Sequence, residues 1–211
     1  MKCAICNTQT ASLEDTQLNK VFFHCYSCEL IFLDKKFYVS CIDEKNQYDH
    51  HNNSLENEGY VKMFNDFLDF TLESLHVKSV LDFGSGPTPV LAELLKRRNL
   101  HVEYFDKFYQ PKKVYENKKY DLITSTEVFE HLENPKEVLN FLANHLTPNG
   151  TISLMTLFHT NTKEDFLKWW YRRDPTHITF FTPKTIETMA KECGLKVQKH
   201  DNKRIILLSK V

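Results

Sequence analysis

Four cysteines fall within the first 28 residues as two CxxC steps, Cys3/Cys6 and Cys25/Cys28, with 18 residues between them. Each step lets two thiolates approach one ion from a tight turn, and two steps complete a tetrahedron. The quartet therefore reads as a structural four-thiolate zinc site with no position left for water. A redox dithiol, an iron site and unliganded core thiols are the other readings of the same residues. Cys41 and Cys193 stand apart and read as ordinary thiols.

The second group with chemical potential is Asp82, Gly84, Ser85 and Gly86, at the end of the apolar run Val80-Leu81 and ahead of the helix-spaced Val90, Leu91, Leu94 and Leu95. Glycines where a strand turns into a helix permit a tight turn and let a ligand approach the backbone. Asp106 closes the next strand 20 residues after Gly86, where a carboxylate accepts both hydroxyls of a ribose. Together these residues indicate an adenosine-containing cofactor. A dinucleotide fingerprint would carry a third glycine, but Pro89 stands there, and Asp82 would repel a pyrophosphate while suiting a cationic amino group. The pattern points to S-adenosylmethionine.

The elements that must position these residues follow from periodicity. Residues 1–42 carry short β-rich runs and no helix period, a metal-nucleated ribbon. Residues 43–76 read as a polar linker followed by a helix over 58–76, with Val61, Phe64, Phe67, Leu68 and Leu72 on one stripe. From residue 77 to 211 strands and helices alternate, which implies a mainly parallel sheet covered on both faces. Tyr120–Thr124 and Thr151–Leu157 read as strands, Pro135–Leu146 as a helix, and Pro148-Asn149-Gly150 as a turn. Thr182 and Pro183 mark a helix start and Gly194 its stop, before a last hairpin that adds an antiparallel strand.

The run Leu81-Asp82-Phe83-Gly84-Ser85-Gly86-Pro87, the acid Asp106, the block Tyr120-Asp121-Leu122-Ile123-Thr124-Ser125-Thr126-Glu127-Val128-Phe129-Glu130-His131-Leu132 and the segment Leu146-Thr147-Pro148-Asn149-Gly150 resemble class I S-adenosylmethionine-dependent methyltransferases. The likeness is to ubiquinone-biosynthesis-like members with an N-terminal zinc-binding segment, over residues 76–211. It implies an α/β, Rossmann-like, seven-stranded mostly parallel sheet with an antiparallel last strand, preceded by a small zinc ribbon. It also implies that Asp82, Gly84 and Gly86 hold the methionine end, that Asp106 holds the ribose, and that the Thr126-Glu127 turn borders the methyl group. Two departures stand out: the third glycine is missing, and only 13 residues, 107–119, separate Asp106 from the next block. Phe108 or Tyr109 is then the candidate to stack on adenine.

Tyr48 and His51, with His50, Asn52 and Asn53, form a polar patch where similar enzymes place a lid over the cofactor. His177 follows an insertion holding Trp169, Trp170, Arg172 and Arg173, which in similar enzymes roofs the acceptor. Imidazole titrates near neutrality, so His177 either takes the acceptor's proton or braces the Phe180-Phe181-Thr182 turn. His131 and His159 are further candidates beside the pocket. The expected acceptor is a small molecule. An RNA methyltransferase is the alternative, supported by Lys96-Arg97-Arg98 with Lys112, Lys113, Lys118 and Lys119, and a non-catalytic zinc-ribbon adaptor is the third reading. Residues 1–50 carry five lysines against seven acids, which disfavours a nucleic-acid ribbon.

Composition sets the outer bounds. The 211 residues are 41% hydrophobic and 26% charged with a formal net charge of -1, the balance of one compact domain with a small appendage and no overall pull toward nucleic acid or an anionic membrane. No stretch nears the roughly 20 apolar residues that span a bilayer, and the first residues lack an apolar signal core, so the expected location is cytoplasmic.

Overall fold

The computed structural model describes residues 1–49 and 54–211. The N-terminal segment is an antiparallel meander of β1 (Ala11–Asp15), β2 (Lys20–His24) and β3 (Ile31–Leu33). Its two CxxC turns close alike. Asn7 N–H donates to Cys3 O and Glu29 N–H to Cys25 O, and both residues take the left-handed backbone, φ 58° and 67°, that folds each turn back on itself.

The helices α1 (Cys41–Asp49) and α2 (Glu58–Leu72) follow, the second capped by Asn57, whose side chain accepts from Tyr60 N–H. The remaining elements are β4 (Ser79–Phe83), α3 (Val90–Arg97), β5 (His101–Phe105), β6 (Tyr120–Thr126), α4 (Pro135–Asn144), β7 (Leu146–Met155), α5 (Lys163–Lys168), β8 (Thr179–Phe180), α6 (Pro183–Glu192), β9 (Leu195–His200) and β10 (Ile205–Lys210). The main sheet runs β5-β4-β6-β7-β10-β9, with β10 antiparallel to both its neighbours. Side chains alternate across it as strand geometry requires. Val80, Leu122 and Leu207 pack with Phe64, Phe67 and Leu91 of α2 and α3, while Leu81, Ile123 and Leu208 face Leu139, Ile186 and Met189 of α4 and α6.

The sheet has six strands among the described residues, not the expected seven. Residues 107–119 account for the difference. The chain turns back as soon as β5 ends, with Asp106 and Gln110 exchanging both backbone hydrogen bonds, and Tyr115 folds over the sheet edge with its ring 5.2 Å from Phe105. So short a segment holds no room for a helix and a further strand.

Three other local readings change. The polar stretch expected as linker begins with a helix, α1, which buries no residue and so leaves no apolar stripe to detect. Helix α2 ends at Leu72, short of residue 76. Pro148-Asn149-Gly150 lies inside β7 and is no turn: a side chain at Gly150 would put Cβ 2.8 Å from Tyr120 O, so glycine lets the two strands close across a register shift. The start of α6 is as expected, with a Thr182–Thr185 capping box, Pro183 in the first turn and Gly194 at φ 67° beyond the end.

The ribbon is joined to the rest. Strand β3 pairs antiparallel with β8 to form a second sheet, β1-β2-β3-β8, and Cys3, Cys25, Cys28 and Leu30 share one buried cluster with Phe129, Phe181 and Met189. Among the described residues no helix is long and apolar enough to cross a membrane.

Candidate active site

A cavity of about 410 Å³ opens at the C-terminal ends of β4, β5 and β6, the place where parallel α/β sheets bind ligands. Its floor is Asp82, 1% exposed. Asp82 Oδ1 accepts from Thr124 Oγ1 at 2.9 Å, and Oδ2 has no partner. Burial, with the nearby charge of Asp106 adding to it, pushes this carboxyl up from 3.8 to about 7.

The turn above it is built on glycine. Gly84 has φ 86°, its N–H donates to Phe105 O at 2.8 Å, and a Cβ there would lie 2.3 Å from Val128 Cγ2. Gly86, φ 69°, donates its N–H to Asp106 Oδ2 at 3.0 Å, while Asp106 Oδ1 accepts the N–H groups of Phe108 and Tyr109 at 2.8 and 3.1 Å. Asp106 thus ties the glycine turn to the loop after β5 and keeps one lone pair unused, on Oδ2. Ser85 Oγ is buried without a partner, and Thr126 and Glu127 line the opposite wall.

Helix α1 lies across the mouth. Tyr48 reaches in with its ring 5.1 Å from His131 and 6.0 Å from Phe108. Its hydroxyl donates to Glu44, which also receives Lys107 Nζ at 2.7 and 2.9 Å, and Tyr109 OH donates to Asp49. His51 lies outside the described residues, as do His50, Asn52 and Asn53.

At the other end the roof insertion meets the turn after β6. Tyr171 OH donates to Glu130 Oε1 at 2.5 Å and to Glu127 Oε2 at 3.2 Å, leaving Glu130 Oε2 and Glu127 Oε1 unpartnered. Burial raises both carboxyls, Glu130 well above the usual range with the charge of Glu127 adding to it. His131 Nδ1 faces Thr176 O at 3.0 Å and His177 Nδ1 faces Tyr171 O at 2.8 Å. A carbonyl only accepts, so both Nδ1 atoms carry the proton. Burial holds His131 down to about 3.

His131 and His177 therefore line the cavity, and His159 does not. His159 sits in a separate small recess, where Nε2 donates to Glu29 O at 3.0 Å and Nδ1 accepts Asn161 N–H at 3.1 Å, so its ring braces the ribbon. Glu130 and Tyr171 were not singled out by sequence reasoning as site residues. The signal for the first was the spacing Glu127-x-x-Glu130-His131; for the second, 41 residues away from Glu130, there was none.

The four ribbon sulfurs converge as their spacing implied. Cys3 and Cys28 Sγ are 3.5 Å apart, Cys6 and Cys25 Sγ 3.4 Å, and all four lie within 4.8 Å of one another. Zinc–sulfur bonds of about 2.3 Å put the corners of a tetrahedron roughly 3.8 Å apart, so the set is of the right size for such an ion.

Residues 48–200 match the profile of a family described as a methyltransferase domain. The chain belongs to this methyltransferase-domain family. The matched region contains the whole cavity floor, the glycine turn and the His131–His177 end. A ubiquinone biosynthesis O-methyltransferase of Rickettsia canadensis is 27% identical over 90 residues, covering 39% of this chain and 38% of that relative's length. A Burkholderia thailandensis 1,6-didemethyltoxoflavin-N1-methyltransferase, solved with 1,6-didemethyltoxoflavin and S-adenosylhomocysteine, superposes with a TM-score of 0.61 at 11% identity, covering 95% of this methyltransferase-domain chain and 100% of that one. An O-methyltransferase family protein from the same organism gives 0.55 at 15% identity, over 79% of this chain and 62% of its own. At these identities the two structures show the shared fold.

Proposed function

We propose that the chain transfers a methyl group from S-adenosylmethionine to a small-molecule acceptor, with a structural zinc ion held by Cys3, Cys6, Cys25 and Cys28. The observation that carries the reading is Asp82 Oδ2, a buried carboxylate oxygen without a partner on the floor of a cavity whose next turn is open backbone. An isolated buried carboxylate is costly, and a cation arriving with the ligand removes the cost. The ammonium of S-adenosylmethionine is such a cation. When bound, the cofactor supplies an electrophilic methyl group on a sulfonium.

Each wall then has a task. Gly84 and Gly86 let the ligand approach the backbone, the remaining lone pair of Asp106 Oδ2 accepts from a ribose hydroxyl, and Phe108 offers a ring near the adenine end. Thr126 and Glu127 face the methyl position, and the acceptor occupies the space between Tyr48 and the His131–His177 pair. Alignment and exclusion of water carry most of such a displacement. Tyr48 and the α1 contacts with Lys107 and Tyr109 close the mouth over it.

The test is calorimetric titration with S-adenosylmethionine and S-adenosylhomocysteine, in parallel with Asp106→Ala. Micromolar binding by the wild type and its near loss in the variant is the expected result. No heat of binding from either protein overturns the reading.

A further inference from the structure

The cavity walls hold more acids than one ammonium answers. Glu44, Asp82, Asp106 and Glu127 line it, and among the described lining residues Lys107 is the one lysine or arginine, its Nζ donating to both oxygens of Glu44. Asp106 is engaged by three backbone N–H groups. That leaves Asp82 on the floor and Glu127 on the wall, each with an oxygen that has no partner. Helix α2 brings a phenol to the same stretch of wall. Tyr60, Met63 and Phe64, neighbours on one helical face by their spacing, all line the cavity.

Tyr60 is fixed there from two sides. Its N–H donates to the capping Asn57 Oδ1 at 3.1 Å, and its ring lies 4.5 Å from that of Phe64, which is buried in the core beneath. Burial, with the charges of Asp82 and Glu127 adding to it, pushes the phenol well above its usual range, so it stays protonated and neutral. The fields of both acids thus reach this ring. A sulfonium has no N–H or O–H to donate, so an unpartnered carboxylate oxygen cannot hold it by a hydrogen bond. What recognises such a cation is negative field together with the electron-rich face of an aromatic ring. The cofactor carries its sulfonium a short carbon chain away from the ammonium assigned to Asp82.

We infer that Tyr60 meets the sulfonium of S-adenosylmethionine with its aromatic ring and lets the cavity distinguish this cation from the neutral thioether of S-adenosylhomocysteine. The inference rests on the methyl-transfer reading and deepens it by naming a residue that reads the charge of the cofactor. Loss of the methyl group leaves a neutral sulfur, for which the ring has no such attraction, so the contact favours exchange of spent cofactor for fresh. Met63 and Phe64 beside it add apolar surface to the same wall.

The test is calorimetric titration of the full chain and of its Tyr60→Leu variant with S-adenosylmethionine, S-adenosylhomocysteine and the analogue in which an amine-bearing carbon replaces the sulfonium. In the variant, affinity for the two cationic ligands should fall at least about fivefold, while affinity for S-adenosylhomocysteine changes less than about twofold. Retained S-adenosylhomocysteine binding also shows that the variant has folded. In the wild type, the Tyr60 ring resonances should move further with S-adenosylmethionine than with S-adenosylhomocysteine, a readout that needs no variant to fold. A loss shared equally by all three ligands, or no loss for any, overturns the inference, as do wild-type ring resonances that respond alike to the cation and the thioether. Each of these results leaves wild-type cofactor binding intact and so removes the Tyr60 contact alone. No binding of any ligand by the wild type removes the methyltransferase reading itself.

Discussion

Replacing Asp82 by Asn keeps the side chain's shape and removes its charge, and the two proteins should part company with pH. In the ligand-free fold the carboxyl titrates at about 7 against an ordinary 3.8. That gap of roughly three units, at about 1.4 kcal/mol each, means that holding Asp82 ionised costs the fold on the order of 4 kcal/mol. The folded chain binds the proton more tightly than the unfolded chain between these two values. The associated stability is therefore present in full below about pH 4 and is lost as pH rises to about 7, and Asn at this position has no such dependence. Ligand binding runs the other way. A cationic amino group needs the ionised carboxylate, so wild-type affinity for S-adenosylhomocysteine should weaken about tenfold per pH unit below about 7. At about pH 8 the Asn variant should bind more weakly by about 1.5–3 kcal/mol, the worth of a hydrogen bond to a charged group, and should show no slope from this site. Calorimetry at about pH 6 and pH 8 on both proteins reads all of this. Equal affinity of the two proteins at the higher pH, or a flat wild-type profile, would refute the assignment of Asp82 to a cation.

Gly84→Ala combines a left-handed backbone with a Cβ 2.3 Å from Val128 Cγ2, so cofactor affinity should fall steeply; adding Val128→Ala should restore part of it, leaving the backbone strain of about 1–2 kcal/mol. Metal analysis should find one zinc per chain in the cysteine cluster, lost in Cys25→Ser, and chelation should lower the thermal midpoint, since metal binding energy at such a site is folding energy. A chelated protein with an unchanged midpoint would reduce the four sulfurs to core packing.

Much of the cavity's glycine-turn side was legible because its constraints are local. The Asp82-to-Gly86 turn, Asp106 and the Thr182-Pro183 helix start each declare themselves within a few residues, and the cysteine pairs declare themselves by spacing. What escaped was set by distance or by weak signal. Helix α1 has no apolar face; its cues are Ser40, whose hydroxyl accepts Asp43 N–H, and the Lys45–Asp49 ion pair. Strand β8 is two residues long, below any periodicity. The Tyr171 link to Glu130 and Glu127 joins segments that only the fold brings together. His159, placed by sequence at the pocket mouth, is drawn off by Glu29 of the ribbon, a partner 130 residues away.

That same ribbon residue shows why the cysteine segment braces the His131–His177 end of the cavity rather than the Asp82–Asp106 end. Glu29 accepts from Thr182 Oγ1 and pairs with Lys184 at the start of α6, its carbonyl takes His159, and its left-handed backbone closes the Cys25 turn. One strand further, β3 holds β8, whose Thr179 hydroxyl donates to Phe129 O, and the preceding Ile178 N–H donates to Glu130 O. On the far side, Asp15 of β1 and Arg172, both almost fully buried, pair at 2.8 Å, and Arg172 directly follows the tyrosine that holds both glutamates. Breaking a buried pair of this kind by removing one partner costs about 3–5 kcal/mol. Asp82, Gly84 and Asp106, by contrast, depend on β4 and β5 and make no hydrogen bond to the ribbon among the described residues. An ordered cysteine cluster is therefore a condition for the geometry of Glu130, His131 and His177, and only indirectly for that of Asp82, Gly84 and Asp106.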